Sequence, residues 1–148
     1  MEISGIAHVI LTVSDFESAI PFYERLLAYL GMKRVFAGED FLYYLGARTG
    51  VGISRCDERY RHEQFVQRRV GLHHLCFRAR ERGDIESFYG FLQELGAKIV
   101  HPPEDGMWAP GYYSVLFEDP GGIRLEMNHV PGPGLLAQGA SMNPGEYR

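Results

Sequence analysis

The sequence predicts an α+β fold built from two paired βαβββ modules, and three observations carry that prediction. Gly5-Ile6-Ala7-His8-Val9-Ile10-Leu11 returns later in the chain as Gly71-Leu72-His73-His74-Leu75-Cys76-Phe77. The register then persists: Phe22-Tyr23 recurs as Phe88-Tyr89, Leu26 as Leu92 and, after a one-residue deletion, Leu30-Gly31 as Leu95-Gly96. Each copy also reads as one β-rich run, one apolar pattern at helical spacing and three short runs separated by turn residues. Two copies of this length do not make a solenoid, so they are expected to pack as a single domain over residues 1–130. Module 1 falls at about 5–56, a connector at 57–70 and module 2 at about 71–129.

Module 1 opens with a strand at 6–13, rich in β-branched and aliphatic residues. It ends at Ser14-Asp15, where Ser14 followed by Glu17 reads as a helix cap. Ile20, Tyr23, Leu26, Leu27 and Leu30 recur at helical spacing until Gly31 closes the run. Pro21 would remove a hydrogen bond inside a helix, so the helix is expected to start near Ser18 with the proline in its first turn. Strands follow at 32–37, 41–45 and 51–56, divided by Gly38-Glu39-Asp40 and by a glycine-bounded turn at 46–50. Module 2 repeats the plan with a strand at 72–79, a helix at 84–95 and strands near 97–101, 112–117 and 122–128. The connector carries Arg59, Arg61, Arg68 and Arg69 and reads as a solvated segment. Residues 131–148 turn to glycine, proline and small side chains, which predicts an arm.

Composition narrows the function. Of 148 residues, 45% are hydrophobic and 23% charged, ordinary values for a globular domain, and the net charge is −4. No positive field exists to draw nucleic acid or an anionic membrane, so neither partner is expected. No apolar run is long enough to span a bilayer and no basic-then-apolar leader precedes the first strand, so a cytoplasmic location is expected. Cys56 and Cys76 are then expected to be thiols.

Alternation along a strand would set His73 and His74 on opposite faces, and the repeat register pairs His74, not His73, with His8. The second copy ends in Glu118-Asp119-Pro120-Gly121-Gly122, a tight turn feeding a strand on which Arg124, Glu126 and Asn128 share one face. If the copies bring their first and last strands to one cleft, His8, His74 and Glu126 supply two imidazoles and a carboxylate. That set suits a divalent transition metal with open coordination positions. Residues 101–113, with Trp108 and two tyrosines, are too aromatic for a neutral surface loop and read as a rim over the cleft. Tyr43, Tyr44 and Arg124 are further wall candidates.

With His8 opening the first strand, the Phe22-Tyr23 helix, His74, and Asp119-Pro120 before Glu126, the chain resembles the vicinal oxygen chelate superfamily. That superfamily holds glyoxalases, epimerases, extradiol dioxygenases and fosfomycin- or bleomycin-resistance proteins. The resemblance covers about residues 5–128 and implies two βαβββ modules forming an open, barrel-like cleft around one divalent ion. His8, His74 and Glu126 would be the ligands, of a type that admits iron, manganese, cobalt, nickel or zinc. It also implies a small substrate held through two adjacent oxygens, and a homodimer in which modules can be exchanged between subunits. The arm at 131–148 would close the site or brace a partner subunit.

Departures from the family pattern bear on the reaction. Glyoxalase I enzymes usually take a fourth ligand from the last strand of the first copy. Aligning Gly50-Val51-Gly52-Ile53 with Gly122-Ile123-Arg124-Leu125 puts Ser54 opposite Glu126, with Glu58 as a substitute two pleats further on. Extradiol dioxygenases carry a tyrosine where this chain has Leu116 and a histidine near Gly106 and Met107; Tyr112, Tyr113 or His101 could act as a different donor. Fosfomycin-resistance transferases have a threonine at the place of Ile10. The expectation is therefore a three-ligand lyase or isomerase with Trp108, Tyr112, Arg124 and Tyr44 at the substrate. The alternatives are a non-heme iron dioxygenase and a metal-free drug-binding protein of the bleomycin-resistance type.

Overall fold

The computed structural model describes residues 1–143, and the chain divides into two compact units, Met1–Phe65 and Val66–Arg148. Unit 1 contains β1 (His8–Val13), α1 (Phe16–Tyr29), β2 (Lys33–Ala37), β3 (Phe41–Gly46) and β4 (Thr49–Arg55), followed by a single 3-10 turn at Glu58–Tyr60. Unit 2 contains β5 (Leu75–Arg78), α2 (Arg82–Leu95), β6 (Lys98–Asp105), β7 (Tyr113–Glu118) and β8 (Arg124–His129). Each unit is a βαβββ module whose four-stranded sheet is ordered first, fourth, third, second, namely β1-β4-β3-β2 and β5-β8-β7-β6. The first strand runs parallel to the fourth, and the rest of each sheet is antiparallel. Each helix crosses its own sheet and covers one face.

The two helices end alike and begin differently. Gly31 and Gly96 take left-handed φ values of 74° and 75°. Behind them Met32 N–H reaches the Leu27 carbonyl and Ala97 N–H the Leu92 carbonyl, each at 3.0 Å, which caps the last turn. At its start α1 is capped by Asp15, whose carboxylate accepts the Ser18 N–H at 3.1 Å and the Ser18 hydroxyl at 2.6 Å, so Ser14 is not the cap. The helix begins at Phe16, earlier than Pro21 suggests, and the proline lies inside it. Pro21 and Glu17 are both exposed, so water can satisfy the carbonyl that the missing N–H leaves, while buried Phe16 and Ala19 hold the first turn on the core. Helix α2 starts at Arg82, two residues before the expected Asp84, because Asp84 accepts the Glu81 N–H at 2.9 Å from inside the first turn.

In unit 1 the helix face Phe16, Phe22, Tyr23, Leu26 and Leu27 buries against Leu11, Val13, Leu42, Tyr44, Val51 and Ile53. Tyr44 is therefore core and not a cleft wall; alternation leaves Tyr43 on the open face instead. In unit 2, Ile85, Phe88 and Leu92 meet Val115, Phe117, Leu125 and Met127, with Phe88 edge-on to Phe117 at 5.5 Å between ring centroids. Each such buried side chain contributes about 1.5–3 kcal/mol.

Strand β6 runs on to Asp105 through Pro102 and Pro103, where a rim loop was expected. It is an edge strand with register breaks between Ile99 and His101 and between His101 and Glu104, places where a proline costs no ladder hydrogen bond. The aromatic rim shrinks to the β6–β7 hairpin, tied by Gly106 N–H to the Tyr112 carbonyl at 2.9 Å. The described part of the expected arm, 131–143, carries a short 3-10 turn at Gly134–Leu136 and returns to this hairpin through Asn143 N–H and the Met107 carbonyl at 3.4 Å. The rest of that arm, 144–148, lies outside the described residues. Among the described residues no helix is long and apolar enough to cross a membrane.

Candidate functional site

The β5–β8 register sets Cys76 beside Glu126, and the β7–β8 register sets Leu116 and Ser114 beside Glu126 and Asn128. What aims Glu126 is the turn before it. Asp119, buried, accepts the N–H groups of Gly121 at 2.9 Å and Ile123 at 2.7 Å, and its own N–H reaches the Ile123 carbonyl. The strand then leaves the turn with Leu125 and Met127 toward α2 and Glu126 on the open face.

On that face Glu126 is the centre of a polar cluster. Its Oε1 accepts the Tyr112 hydroxyl at 2.5 Å and its Oε2 lies 3.2 Å from His74 Nε2. Burial raises the Glu126 pKa, but hydrogen bonds from His74, Tyr112 and Ser114 outweigh it, so the carboxyl titrates below its ordinary range and is ionised at neutral pH. Burial and the same carboxylate push the Tyr112 phenol upward, so it remains a proton donor. Cys76 is exposed as a residue, yet the protein crowded about its sulfur and the neighbouring Glu126 both push its thiol pKa upward, so it is not a thiolate.

His74 Nδ1 touches His73 Nδ1 at 2.7 Å, and the Gln67 amide nitrogen stands 3.4 Å from the same His73 atom. The two imidazoles do not point to opposite faces. They lie in the irregular stretch before β5, where strand alternation does not apply. Only one of two touching Nδ1 atoms can carry the hydrogen. The hydrogen shared between them fixes the His74 ring with its Nε2 facing Glu126. Burial, and then the neighbouring His74, keep the His73 pKa low and its ring neutral.

These groups line a cavity of about 360 Å³ that also takes in His101, Glu104, Trp108 and Leu116. His101 Nδ1 bonds the Pro102 carbonyl at 2.8 Å and so carries the hydrogen, leaving Nε2 free of it. Of the residues the sequence points to, His74, Glu126, Tyr112, His101 and Trp108 are thus gathered in unit 2. Others are not. Tyr113 is buried on the helix side, its hydroxyl bonded to Glu86 and its ring under the Arg82 guanidinium. Arg124 donates to Glu118 at 2.8 Å and does not line the cavity. His73, Gln67, Ser114 and Glu104 were not legible as site residues, although Ser114 could have been found by alternation with Tyr112 and Leu116.

His8 belongs to unit 1, where it opens β1 opposite Gly50 and is exposed. The strand registers also correct the fourth-ligand alignment. Gly52 lies beside Ile10 and Tyr43 as Glu126 lies beside Cys76 and Leu116, so Gly52 is the counterpart of Glu126 and Ser54 that of Asn128. Glu58 sits past the end of β4 in the 3-10 turn, with its side chain 85% exposed and paired to Arg61. Among the described residues no three His, Cys, Asp or Glu side chains are grouped so as to hold a metal ion.

Residues 5–127 match the model of the Glyoxalase/Bleomycin resistance protein/Dioxygenase superfamily. The uncharacterized protein YqjT of Bacillus subtilis (strain 168) is 28% identical over 124 residues, covering 81% of this chain and 94% of its own. A presumptive glyoxalase of Bacillus halodurans superposes with a TM-score of 0.76 at 28% identity, over 86% of this chain and 96% of that one. The lactoylglutathione lyase of Agrobacterium tumefaciens superposes at 0.63 and 20% identity, over 87% and 96%, a likeness of fold.

Proposed function

Because the chain belongs to the glyoxalase, bleomycin-resistance and dioxygenase superfamily, we propose that it is a divalent-metal-dependent lyase or isomerase acting on a small substrate held through two adjacent oxygens. The observation that carries this reading is the 3.2 Å approach of His74 Nε2 to Glu126 Oε2, each oriented from behind by a further group, His73 and Tyr112 respectively. Two ligands each about 2.1 Å from one ion stand roughly 3 Å apart, and such partners behind the ligands are what metal sites use to set tautomer and orientation. The donor set therefore fits a metal. His8 is proposed as the third ligand, on the strength of its place in the repeat.

A divalent ion bound there would stabilise negative charge developing on the two substrate oxygens. The chain's own residues do the rest. Tyr112, kept protonated, holds Glu126 in one orientation and presents a phenol to the cavity. His101, with its hydrogen committed to Pro102, offers Nε2 as the proton acceptor. Trp108 supplies an apolar wall.

Metal content of protein purified without chelators tests the proposal. The wild type should retain about one ion per chain, and His8→Ala, His74→Ala and Glu126→Ala should each weaken retention by at least about 100-fold. A metal-free wild type would sink the enzyme reading and leave the metal-free drug-binding alternative. The second reading, a dioxygenase, is favoured by Tyr112 and His101, which place a phenol and an imidazole in the cavity although Leu116 and Gly106 stand at the family's usual positions. Oxygen uptake on catechols, compared with hemithioacetal turnover, separates the two. A homodimer and a cytoplasmic location belong to the same proposal.

A further inference from the structure

Trp108 and Tyr112, which line the cavity, both sit on the hairpin between β6 and β7. The base of that hairpin is the pair of Asp105, the last residue of β6, with Tyr113, the first of β7. Arg82, the first residue of α2, holds both. Its Nη1 and Nη2 reach the two Asp105 carboxylate oxygens at 2.8 and 3.2 Å, and its guanidinium carbon stands 3.5 Å from the centre of the Tyr113 ring. The Tyr113 hydroxyl in turn donates to Glu86, one turn along the same helix. A planar fork can bind a carboxylate edge-on and a ring face-on at once, which an ammonium cannot. The residues next inward belong to the cavity. Gly106 follows Asp105, Tyr112 precedes Tyr113, and the Gly106 N–H donates to the Tyr112 carbonyl at 2.9 Å. Both cavity rings rest against that glycine: a Cβ there would stand 2.7 Å from Tyr112 Cδ1 and 3.4 Å from Trp108 Cδ1.

We infer that Arg82 is a positioning residue for the cavity, fixing the Tyr112 phenol and the Trp108 ring from the helix side of the sheet by holding Asp105 and Tyr113. The inference rests on reading the cavity as the functional site, and it adds to that site a residue outside its lining. Tyr113 is buried on the helix side whereas its neighbour Tyr112 faces the cavity and donates to Glu126, so what anchors one sets the other. The side chains of Arg82 and Asp105 are 50% and 73% exposed, and their ion pair therefore adds little to overall stability. Its effect is local. Without it the hairpin opens more readily than the sheet that carries it, and small displacements of cavity groups are what a site tolerates least.

Trp108 is the single tryptophan of the chain, so intrinsic fluorescence reports on this hairpin. The experiment measures acrylamide quenching and the emission maximum in chelator-treated full-length wild type, Arg82→Ala, Arg82→Lys and Asp105→Ala, with urea melts followed by circular dichroism alongside. Gly106→Ala, which displaces both rings directly, sets the size of the full response. Each of the three bracket variants should raise the quenching constant at least about twofold while the urea midpoint stays near that of the wild type. Lysine should not rescue, because it keeps the charge and loses the fork. Wild-type quenching and emission in Arg82→Ala or in Arg82→Lys would overturn the inference. So would a rise in quenching that only follows a lowered urea midpoint, the mark of a stability role alone. Should an Arg82 variant fail to fold, Asp105→Ala carries the same test with α2 left intact. Because metal is absent throughout, this outcome is separate from the metal-content measurement: the protein can fail to hold an ion and still show the bracket, or hold one and lack it.

Discussion

Gly52 and Glu126 occupy the same place in two copies of one module, and the chemistry of the two units diverges around them. On the open face of unit 1, Gly50 and Gly52 lie under side chains: a Cβ on Gly52 would come within 2.8 Å of Ile10 Cδ1 and 2.9 Å of Phe41, and one on Gly50 would meet the Tyr43 hydroxyl. Phe41 and Tyr43 stack at 5.9 Å over that glycine floor. On the open face of unit 2 the same two strand positions are Arg124 and Glu126, and a polar network of His74, Tyr112 and Ser114 replaces the aromatic layer. The helix-covered faces did not diverge in kind. A repeat can thus keep one face for stability and spend the other on function, because alternation makes the two faces independent.

If that division is right, the covered faces should respond alike. Leu26→Ala in α1 and Leu92→Ala in α2, both fully buried, should each lower unfolding free energy by about 2–5 kcal/mol in urea melts followed by circular dichroism. A loss confined to one of them would break the symmetry. The open faces should respond unlike each other. Glu126→Ala should cut metal retention by at least about 100-fold, whereas Ser54→Ala, on the counterpart of Asn128, should leave it within about twofold by elemental analysis. Equal losses would restore Ser54 as a ligand.

The glycine floor gives a smaller effect. Gly52→Ala displaces only the tips of Ile10 and Phe41 and should cost about 1 kcal/mol or less. A loss of several kcal/mol would show that the aromatic layer is rigidly packed. The helix starts give the smallest. Asp15→Ala should cost about 1 kcal/mol at neutral pH. Hydrogen bonds from the Ser18 hydroxyl and N–H lower the Asp15 pKa from its ordinary 3.8. Its stabilisation is accordingly present above about pH 4 and lost as pH falls through the lower folded value. The wild-type and Asp15→Ala stabilities should therefore converge in acid, and a constant difference down to pH 2 would mean that the cap does not act through its charge.

Much of this was legible from the chain. The repeated Gly-x-x-His strand start, the paired Phe-Tyr helices and the two helix-ending glycines mark the modules because each reflects a local rule of period, cap or backbone conformation. His74, Glu126, Tyr112, His101 and Trp108 were legible as residue types out of place in their setting. What misled was register. Ser54 looked like the counterpart of Glu126 because aligning one glycine in each copy ignores how many residues each turn takes up, and Tyr44 looked like a wall because alternation does not say which face a helix covers. Pro102 and Pro103 concealed a strand because an edge position cannot be read locally.

The sequence by itself determined the two βαβββ modules, the helix ends, the apolar periods and the donor chemistry, since all of these depend on neighbours within a few residues. Tertiary structure alone decided that Gly52 and not Ser54 stands opposite Glu126, that His73 sits behind His74, and that Tyr112 rather than Tyr113 reaches the carboxylate. The first is a question of which residues pair across the sheet, and the other two of how the irregular segments before β5 and β7 fold onto it, so none can be read from neighbours along the chain.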